Sequence, residues 1–477
     1  MAKFGNPAVG HVSQPRVNTE DTKYAQSSRR NQSTEFLRAL REHFVSFVFA
    51  LERYAFMNRR EFIERTAGIV GGAMIVSPEL WATAPSDRVN LGIIGVGSRG
   101  QQLMRTFLRV PGVRFAGLCD IYEPRFAAGR KITNEPTPTY RDYRELLSAR
   151  DLDAVIVSTP LSMHAEHELA VLDSGHHLYG EKSLALTVEQ CDRIVEAVRR
   201  SGKHYQVGLQ YHYAPWYQEV LRRIRAGKIG QVTEIYTYWH RNNSWRRPVP
   251  DPNNKQLERL INWRLYKEYS GGLLAELGSH HINFVNEVFN DFPESVIGSG
   301  GIDFWKDGRE TQDNVQVTFR YPSGQTLFFS AITTNRLDGD QIRVYGTNGS
   351  AVLTETDATM YYEPKRPESA VSAETIVQRG IVTGATYKAE LPYRGPGEPI
   401  PVPEDKQGSP DYLACSSFIE CIRQNRRPEA DEEKAWREGV AVALGNKALD
   451  EGKRIVLREH LQTKVAQELV KSASNTA

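Results

Sequence analysis

Three glycines follow a short apolar run and have the spacing of a phosphate-binding turn. Residues 89–100 read Val-Asn-Leu-Gly-Ile-Ile-Gly-Val-Gly-Ser-Arg-Gly, so Gly95-x-Gly97-x-x-Gly100 stands between a predicted buried strand and a predicted helix. Gly95 permits the tight turn, Gly97 lets the backbone approach a pyrophosphate, and Gly100 lets helix and strand pack closely. The helix start offers free N–H groups to phosphates. The motif predicts a dinucleotide site, and a purely structural glycine turn is the alternative.

An acidic residue follows the glycines at the distance that such a site needs. A second apolar run ends at Asp120, about 20 residues farther on, where a carboxylate binds the ribose hydroxyls of the dinucleotide. We expect Ser98 and Arg99, inside the glycine loop, to contact the cofactor as well. Asp120 favours NAD because it would repel a 2′-phosphate, although Arg125 nearby leaves NADP open. We expect the cofactor to be tightly bound.

Polar residues follow the next predicted strand, over residues 153–157. Thr159 and Pro160 come directly after it, and His164 lies at the start of the following helix. Ligands bind at the carboxyl ends of strands in open parallel sheets, so we expect these three residues near the nicotinamide. His164 could equally be a packing residue at the helix start.

Glu181 and Lys182 follow the strand predicted at residues 176–179. An exposed Glu-Lys pair would be of little consequence. At the end of a central strand, however, a lysine can bind a substrate hydroxyl and take its proton while hydride leaves the carbon. We therefore predict that Lys182 is catalytic and that Glu181 contacts the cofactor.

Glu276 and His280 are four residues apart on a predicted helix that follows Gly271-Gly272. That spacing places both side chains on one face, where the carboxylate can orient the imidazole for acid/base work. We predict that both are catalytic. A zinc site would need a further ligand nearby, so we predict no metal.

An aromatic and basic segment over residues 239–263 contains three prolines and is predicted to be a long loop. Aromatic faces stack on sugar C–H groups and polar side chains bond hydroxyls, which suits a polyhydroxylated ligand. The candidate substrate contacts are Trp245, Arg246, Trp263 and Arg264. The alternative is that the tryptophans are core or interface anchors.

The elements that must position these residues divide into two patterns. Strand and helix patterns alternate over residues 86–207, which predicts a doubly wound parallel sheet of the Rossmann type. Alternating apolar and polar runs occur within residues 208–455, which predicts a second domain built on a sheet. Two amphipathic helices over residues 412–423 and 432–450 close the structure, and residues 464–477 are predicted to be a frayed end of the tail 456–477.

Composition limits the class of protein. The chain has 477 residues, with 60 Lys and Arg against 58 Asp and Glu, so it lacks the basic excess of a nucleic-acid-binding protein. The four cysteines, Cys119, Cys191, Cys415 and Cys421, show no metal-binding or disulfide spacing and are predicted to be buried thiols.

The first 84 residues differ from the rest. Arg59-Arg60 precedes a mildly apolar run and a small-residue site ending at Ala84, the pattern of a twin-arginine export signal over residues 57–84. An amphipathic helix is the alternative. Such signals begin at the true N-terminus, so we hypothesise that translation starts at Met57 and that residues 1–56 are a non-native or disordered extension. We expect an exported or periplasmic protein without a stable membrane span in its mature form.

In combination and order, the glycine motif, Glu181-Lys182 and the segment from Gly271 to His280 resemble the Gfo/Idh/MocA family of oxidoreductases, over about residues 88–455. The resemblance implies a Rossmann domain joined to an α/β domain with a large, mostly antiparallel open sheet, which often mediates homodimers or homotetramers in that family. It implies a catalytic role for Lys182 and contact of His280 with the substrate hydroxyl. Glu276 replaces the usual aspartate and Ser183 the usual proline.

A third departure affects the substrate. His212, a candidate substrate contact, stands where the family often has arginine, so analogy does not identify the substrate. We expect an NAD(P)-dependent oxidoreductase that acts on a sugar, polyol or glycoside. The alternatives are an NAD-dependent glycoside hydrolase, which oxidises a ring carbon transiently, and a non-catalytic sugar-sensing protein.

Overall fold

The structure, a computed structural model, describes residues 88–363, 396–402 and 408–475, with side chains up to residue 471. The expected extension and export signal, residues 1–84, lie outside the described residues. Residues 364–395 and 403–407 lie outside them as well.

The first sheet is the predicted doubly wound parallel sheet. Its six strands run in the order β3-β2-β1-β4-β5-β6, and every pair is parallel. The strands are β1 (Val89–Ile94), β2 (Val113–Cys119), β3 (Thr139–Tyr140), β4 (Ala154–Val157), β5 (His177–Gly180) and β6 (Tyr205–Val207). The helices between them are α1 (Ser98–Phe107), α2 (Pro124–Thr133), α3 (Tyr143–Leu147), α4 (His164–Asp173) and α5 (Val188–Ser201). A short 3₁₀ turn, Leu161–Met163, precedes α4.

The buried strand β4 shows why this sheet needs helices on both faces. All four of its side chains are buried, and they alternate between two separate hydrophobic cores. Ala154 and Ile156 belong to the core that contains Phe107 of α1, whereas Val155 and Val157 belong to the core that contains the buried side chains of α4 and α5. A strand buried on both faces therefore reads as a continuous apolar run, as found in the sequence.

The second sheet is the predicted large, mostly antiparallel open sheet. Its order is β14-β13-β12-β11-β7-β10-β9-β8-β15, and only β7 and β10 pair in parallel. The strands are β7 (Val232–His240), β8 (Ser295–Gly301), β9 (Asn314–Arg320), β10 (Thr326–Ile332), β11 (Asp340–Gly346), β12 (Gly349–Thr354), β13 (Ala358–Tyr362), β14 (Glu398–Pro399) and β15 (Ile455–Val456).

Helices cover one face of this sheet and connect it to the first. The helices are α6 (Pro215–Arg225), α7 (Lys255–Ile261), α8 (Ser279–Phe289), α9 (Pro410–Gln424), α10 (Glu432–Glu451) and α11 (Lys464–Asn475). Helix α9 packs on the parallel sheet, where Phe418 contacts the rings of Phe107 and Tyr179. Among the described residues no helix is long and apolar enough to cross a membrane.

Two predictions about local structure are wrong. The end predicted to fray forms helix α11, because Val465, Ala466 and Leu469 are buried against the rest of the chain. The segment over residues 239–263, predicted to be a loop, contains helix α7. Asn254 is the N-cap of this helix, and its side chain accepts a hydrogen bond from Leu257 N–H. Helix α7 has no buried residue, so the apolar period that marks most helices is absent.

Candidate active site

The glycine loop between β1 and α1 is closed on one side and open on the other. Gly95 has φ +97°, and a Cβ there would lie 2.4 Å from the carbonyl oxygen of Ser158. A Cβ on Gly100 would lie 2.1 Å from the carbonyl oxygen of Gly95. A Cβ on Gly97 would have no neighbour closer than Arg125 Cζ, at 4.0 Å. The loop thus packs against β4 and leaves its Gly97 backbone free to approach a ligand.

Asp120 lies at the end of β2 beside this loop. Its carboxylate accepts hydrogen bonds from Val96 N–H and Tyr122 N–H, both at 2.8 Å, and pairs with Arg125 at 3.2 Å. The pair places one negative and one positive group where the ribose of a dinucleotide would bind.

A cleft of about 1320 Å³ opens between the two sheets, on the side of the glycine loop. Such a volume exceeds that of a typical small-molecule pocket, so it can hold a dinucleotide and a second ligand. Nearly all of the sequence-predicted site residues line it, namely Gly95, Gly97, Ser98, Arg99, Asp120, Thr159, Pro160, His164, Glu181, Lys182, Trp245, Arg246, Trp263, Arg264, Glu276 and His280. Gly100 lies behind the loop, where it meets Gly95.

Lys182 bridges the two halves of the cleft. It follows β5, and its Nζ donates hydrogen bonds to the carbonyl oxygens of Glu276 at 2.9 Å and Ala275 at 3.3 Å. Both carbonyls belong to a π-helical turn, Leu274–Gly278, that precedes α8. Neither partner is a carboxylate, so the ammonium can also donate a hydrogen bond to a substrate hydroxyl.

His280 lies on α8 at the same end of the cleft and is 5% exposed. Its ring is 5.0 Å from that of Tyr211 and 5.8 Å from that of Trp239, and its buried Nδ1 has no hydrogen-bond partner among the described residues. Burial, together with the charge of Lys182, lowers the pKa of His280 well below its usual value. These effects favour the neutral imidazole, which can accept a hydrogen bond from a substrate hydroxyl.

The predicted Glu276–His280 pair is wrong. The π turn has a wider period than an α-helix, so residues four apart no longer stack, and Glu276 instead accepts a hydrogen bond from Arg264 Nε at 2.7 Å. Burial alone would raise the pKa of Glu276, but Arg264 and Lys182 lower it. Glu276 thus holds Arg264, whose guanidinium lies 4.2 Å from the ring centroid of Trp263.

Two predicted cofactor contacts have their polar groups occupied by protein. The His164 ring bonds the carbonyl oxygens of Ser183 at 2.9 Å and Thr159 at 3.1 Å, and its burial lowers its pKa. His164 therefore ties the ends of β4 and β5 together. Glu181 pairs with Arg99 at 2.8 Å, and Arg99 pairs in turn with Asp411 of α9.

His212 lies outside the cleft, so its prediction as a substrate contact is wrong. It is buried in the 3₁₀ turn Gln210–Tyr213, against the ring of Tyr213, with Nε2 3.9 Å from Glu429. Burial lowers its pKa to about 4. The turn instead presents its neighbour Tyr211 to the cleft.

The aromatic and basic segment reaches across to the glycine loop through a residue that sequence reasoning did not select. Arg247 Nη1 donates a hydrogen bond to Ser98 Oγ at 2.9 Å. Its backbone is fixed by Asn262, which accepts from Arg247 N–H at 2.7 Å. Burial and the charges of Arg264 and Arg125 lower the pKa of Arg247, which indicates a positive region that an anion would stabilise.

Arg246 and four further residues complete the walls. Arg246 is held in an ion-pair network with Glu258 and Asp307 and so positions the segment. The cleft residues that sequence reasoning missed include Tyr211, Trp239, Arg241 and Asp411. Only the arginine and tryptophan content of the segment pointed toward any of them.

Two family models match the chain. Residues 89–209 match the oxidoreductase family with an NAD-binding Rossmann fold, and residues 217–352 match the GFO/IDH/MocA C-terminal domain. Together they cover more than half of the chain. The chain belongs to the GFO/IDH/MocA family. The resemblance found in the sequence is thereby confirmed, and its first domain is the NAD-binding Rossmann domain of that family.

Several curated relatives of this chain are named glycosyl hydrolase family 109 proteins. The proteins from Shewanella sp. strain W3-18-1 and Shewanella putrefaciens are each 31% identical over 237 residues, which is 44% of this chain. The chain spans about half of the length of these relatives, 50% in both cases.

Several solved structures share the fold. An aldose-aldose oxidoreductase from Caulobacter crescentus, complexed with glycerol, matches with a TM-score of 0.61 and 19% identity, covering 77% of this chain and 99% of its own. A levoglucosan dehydrogenase in complex with NADH matches with a TM-score of 0.62 and 17% identity, covering 78% and 99%.

The residues of this GFO/IDH/MocA protein fit a dinucleotide. Open space at Gly97 leaves room for a phosphate at the start of α1, and Arg247 supplies a positive charge at the same point. Asp120 and Arg125 lie at the ribose end. Among the described residues no group of three or more acidic, histidine or cysteine side chains could hold a metal ion.

Proposed function

We propose that this protein is an NAD(P)-dependent oxidoreductase that transfers a hydride between the nicotinamide and a hydroxyl-bearing carbon of a sugar, polyol or glycoside. The observation that supports this most is the meeting of Lys182 and His280 at one end of the cleft. Lys182 is a cation without a carboxylate partner among the described residues, and His280 is neutral.

These two side chains can bind the two atoms of one substrate hydroxyl group. The ammonium of Lys182 donates a hydrogen bond to the hydroxyl oxygen, and the neutral imidazole of His280 accepts its hydrogen. The proton would thus pass to His280, since the Lys182 ammonium cannot accept it, and a bound nicotinamide would accept the hydride. The rings of Trp239, Trp245 and Trp263 line the same cleft and suit stacking on sugar C–H faces.

The test uses purified protein loaded with NAD and a panel of sugars, polyols and glycosides. We expect an increase in the reduced-nicotinamide absorbance with at least one compound. Loading with NADP in parallel distinguishes the cofactors, since Asp120 favours NAD and Arg125 leaves NADP open. A tightly bound cofactor should also survive gel filtration. No spectral response to any compound would favour a non-catalytic sugar-binding role.

A second candidate is a glycoside hydrolase that uses NAD without net consumption. The family 109 name of the relatives favours it, although they match over only part of their length. The same Lys182 and His280 would act on a hydroxyl two carbons from the carbon that bears the glycosidic oxygen. Oxidation there would acidify the C–H between the two carbons and so allow elimination of the leaving group. Addition of water and return of the hydride to the ketone would complete the hydrolysis. Release of aryl alcohol from aryl glycosides without accumulation of NADH identifies this activity, whereas stoichiometric NADH identifies the oxidoreductase.

The open sheet supports the proposal of a homodimer or homotetramer. The face of β7, β10 and β11 opposite to the helices carries Tyr236 and Phe328 stacked at 4.6 Å, with Tyr345 5.7 Å from Tyr236 and 38% exposed. Such an aromatic face suits contact with a second copy. Light scattering should report an oligomer for the native protein and a smaller species for Tyr345→Glu.

We also propose export through the twin-arginine pathway, with residues 57–84 as the signal, ahead of the nucleotide unit at 86–207 and the substrate unit at 208–455. The support is the Arg59-Arg60 sequence. A reporter fused to residues 57–84 should reach the periplasm, and the double Arg59→Lys, Arg60→Lys variant should not. N-terminal sequencing of the native protein tests the start at Met57, and a peptide from residues 1–56 in the mature protein would contradict it.

A further inference from the structure

The arginines that line the cleft differ in whether they form an ion pair with a carboxylate. Eight arginines line it, and six of them pair with a carboxylate. The paired ones are Arg99 with Glu181, Arg125 with Asp120, Arg141 with Glu123, Arg246 with Glu258, Arg259 with Glu310 and Arg264 with Glu276. Among the described residues Arg241 and Arg247 have no acidic partner. Arg241 is half-buried, and a partly buried guanidinium without a counterion is costly, so its site suits an anion. Arg247 is exposed, and its site suits an anion because other arginines of the cleft lie near it.

Position separates the two sites. Arg247 bonds Ser98 at the start of α1, so its anion is a phosphate of the dinucleotide. Arg241 follows β7 directly, and its N–H donates to the carbonyl oxygen of Ile332 at 2.8 Å. Its guanidinium therefore belongs to the rigid end of a central strand, at the substrate end of the cleft.

Arg241 lies one aromatic ring away from the predicted catalytic histidine. Its Cζ is 5.4 Å from the ring centroid of Trp239 and 5.9 Å from that of Trp245. The ring of Trp239 is in turn 5.8 Å from that of His280. Two tryptophan faces contact the guanidinium by cation–π interactions, and its N–H groups have no hydrogen-bond partner among the described residues, so they can bind an oxyanion.

Among the described residues no carboxylate at this end forms an ion pair with Arg241. Glu276 is bound by Arg264, and Glu355 accepts a hydrogen bond from the Tyr211 hydroxyl at 3.2 Å. Lys182 adds a second positive charge and has only carbonyl partners.

We propose that Arg241 binds an anionic substituent of the substrate, a carboxylate or a sulfate, so that the protein acts on acidic sugars or their glycosides. This inference rests on the proposed function, because it names the class of substrate at the same site. Arginine suits both anions, since its planar fork donates two parallel hydrogen bonds to either.

The experiment compares binding of matched neutral and anionic sugars to NADH-loaded protein by calorimetry and by tryptophan fluorescence. The ligands are methyl β-D-glucoside, methyl β-D-glucuronide and a glucose sulfate. We expect at least one anionic ligand to bind about tenfold or more tightly than the neutral one, as a hydrogen-bonded charged group contributes about that much. Fluorescence should change with it, because Arg241 contacts Trp239 and Trp245.

Arg241→Gln should abolish the preference while NADH still binds. Arg259→Gln is the matched control, because Arg259 lines the same cleft but is already paired with Glu268 and Glu310. Its preference should equal that of the native protein. A carboxylate preference without a sulfate preference, or the reverse, identifies the anion.

Equal binding of neutral and anionic ligands, or no binding of either anionic ligand, would overturn the inference. So would a preference that persists in Arg241→Gln. These outcomes can be distinguished from failure of the proposed function. Oxidation of neutral sugars alone would support the oxidoreductase activity and contradict the preference for acidic sugars. Binding of an anionic sugar without its oxidation would support the anion site and contradict the oxidoreductase activity.

Discussion

Replacement of Gly97 by alanine separates cofactor binding from folding. The φ and ψ of Gly97, −71° and −173°, are accessible to alanine, and the new Cβ would have no neighbour closer than 4.0 Å. Alanine reduces the entropy of the unfolded chain, which stabilises by about 0.4–1 kcal/mol, while it is a poorer N-cap than glycine by a similar amount. The net change in the free energy of unfolding should therefore be within about 1 kcal/mol.

Cofactor binding should change much more. The Gly97 methyl group would enter the open side of the loop, where a phosphate must approach the backbone. Loss of one hydrogen bond to a charged group costs about 1.5–3 kcal/mol, which corresponds to about a tenfold to hundredfold weaker Kd for NAD. Titration followed by fluorescence measures Kd, and thermal unfolding without cofactor measures stability.

Gly100→Ala is the contrasting variant. Its Cβ would lie 2.1 Å from the carbonyl oxygen of Gly95, so the backbone must move, and both stability and binding should fall. Native affinity for NAD in Gly97→Ala would refute the assignment of this loop to the phosphates.

Three further variants test separate parts of the account. Lys182→Met should reduce turnover by about a hundredfold to ten-thousandfold with NAD binding retained, whereas the exposed control Lys447→Met should leave steady-state rates at the native level. Arg247→Gln should accelerate release of NAD in a filtration assay, because it removes a cation beside Ser98; an unchanged release rate would exclude Arg247 from the phosphate site. Burial raises the pKa of Glu438 from 4.5 to about 7, so the folded state binds its proton more tightly than the unfolded state does. Stability should therefore fall by about 3 kcal/mol as pH rises through this range, and denaturant unfolding should show a smaller fall in Glu438→Gln.

Local patterns were enough to predict much of this fold. Strand β4 and the glycine loop are defined by contiguous residues whose burial is visible as an apolar run. Lys182 was selected by its place after a strand, because the carboxyl ends of parallel strands lie together in any doubly wound sheet.

Long-range contacts and irregular turns were not accessible in this way. The predicted contact of Glu276 with His280 is wrong because a π turn changes the helical period. No residue pattern within 271–280 indicates that a π turn forms there. Asp411 is far from Arg99 along the chain, yet α9 brings them to 2.8 Å. Likewise, the absence of an acidic partner for Arg241 depends on the positions of every carboxylate around the cleft.

The most direct test of the account is a single-turnover measurement on protein loaded with NAD. The protein is mixed rapidly with the best-binding sugar of the panel while the reduced-nicotinamide absorbance is followed. We predict that the reduced-nicotinamide absorbance rises in the native protein. In Lys182→Met, which binds the same sugar, the rise should be slower by about a hundredfold or more. Reduction at the native rate in Lys182→Met, with sugar binding intact, would contradict the proposed chemistry of this cleft.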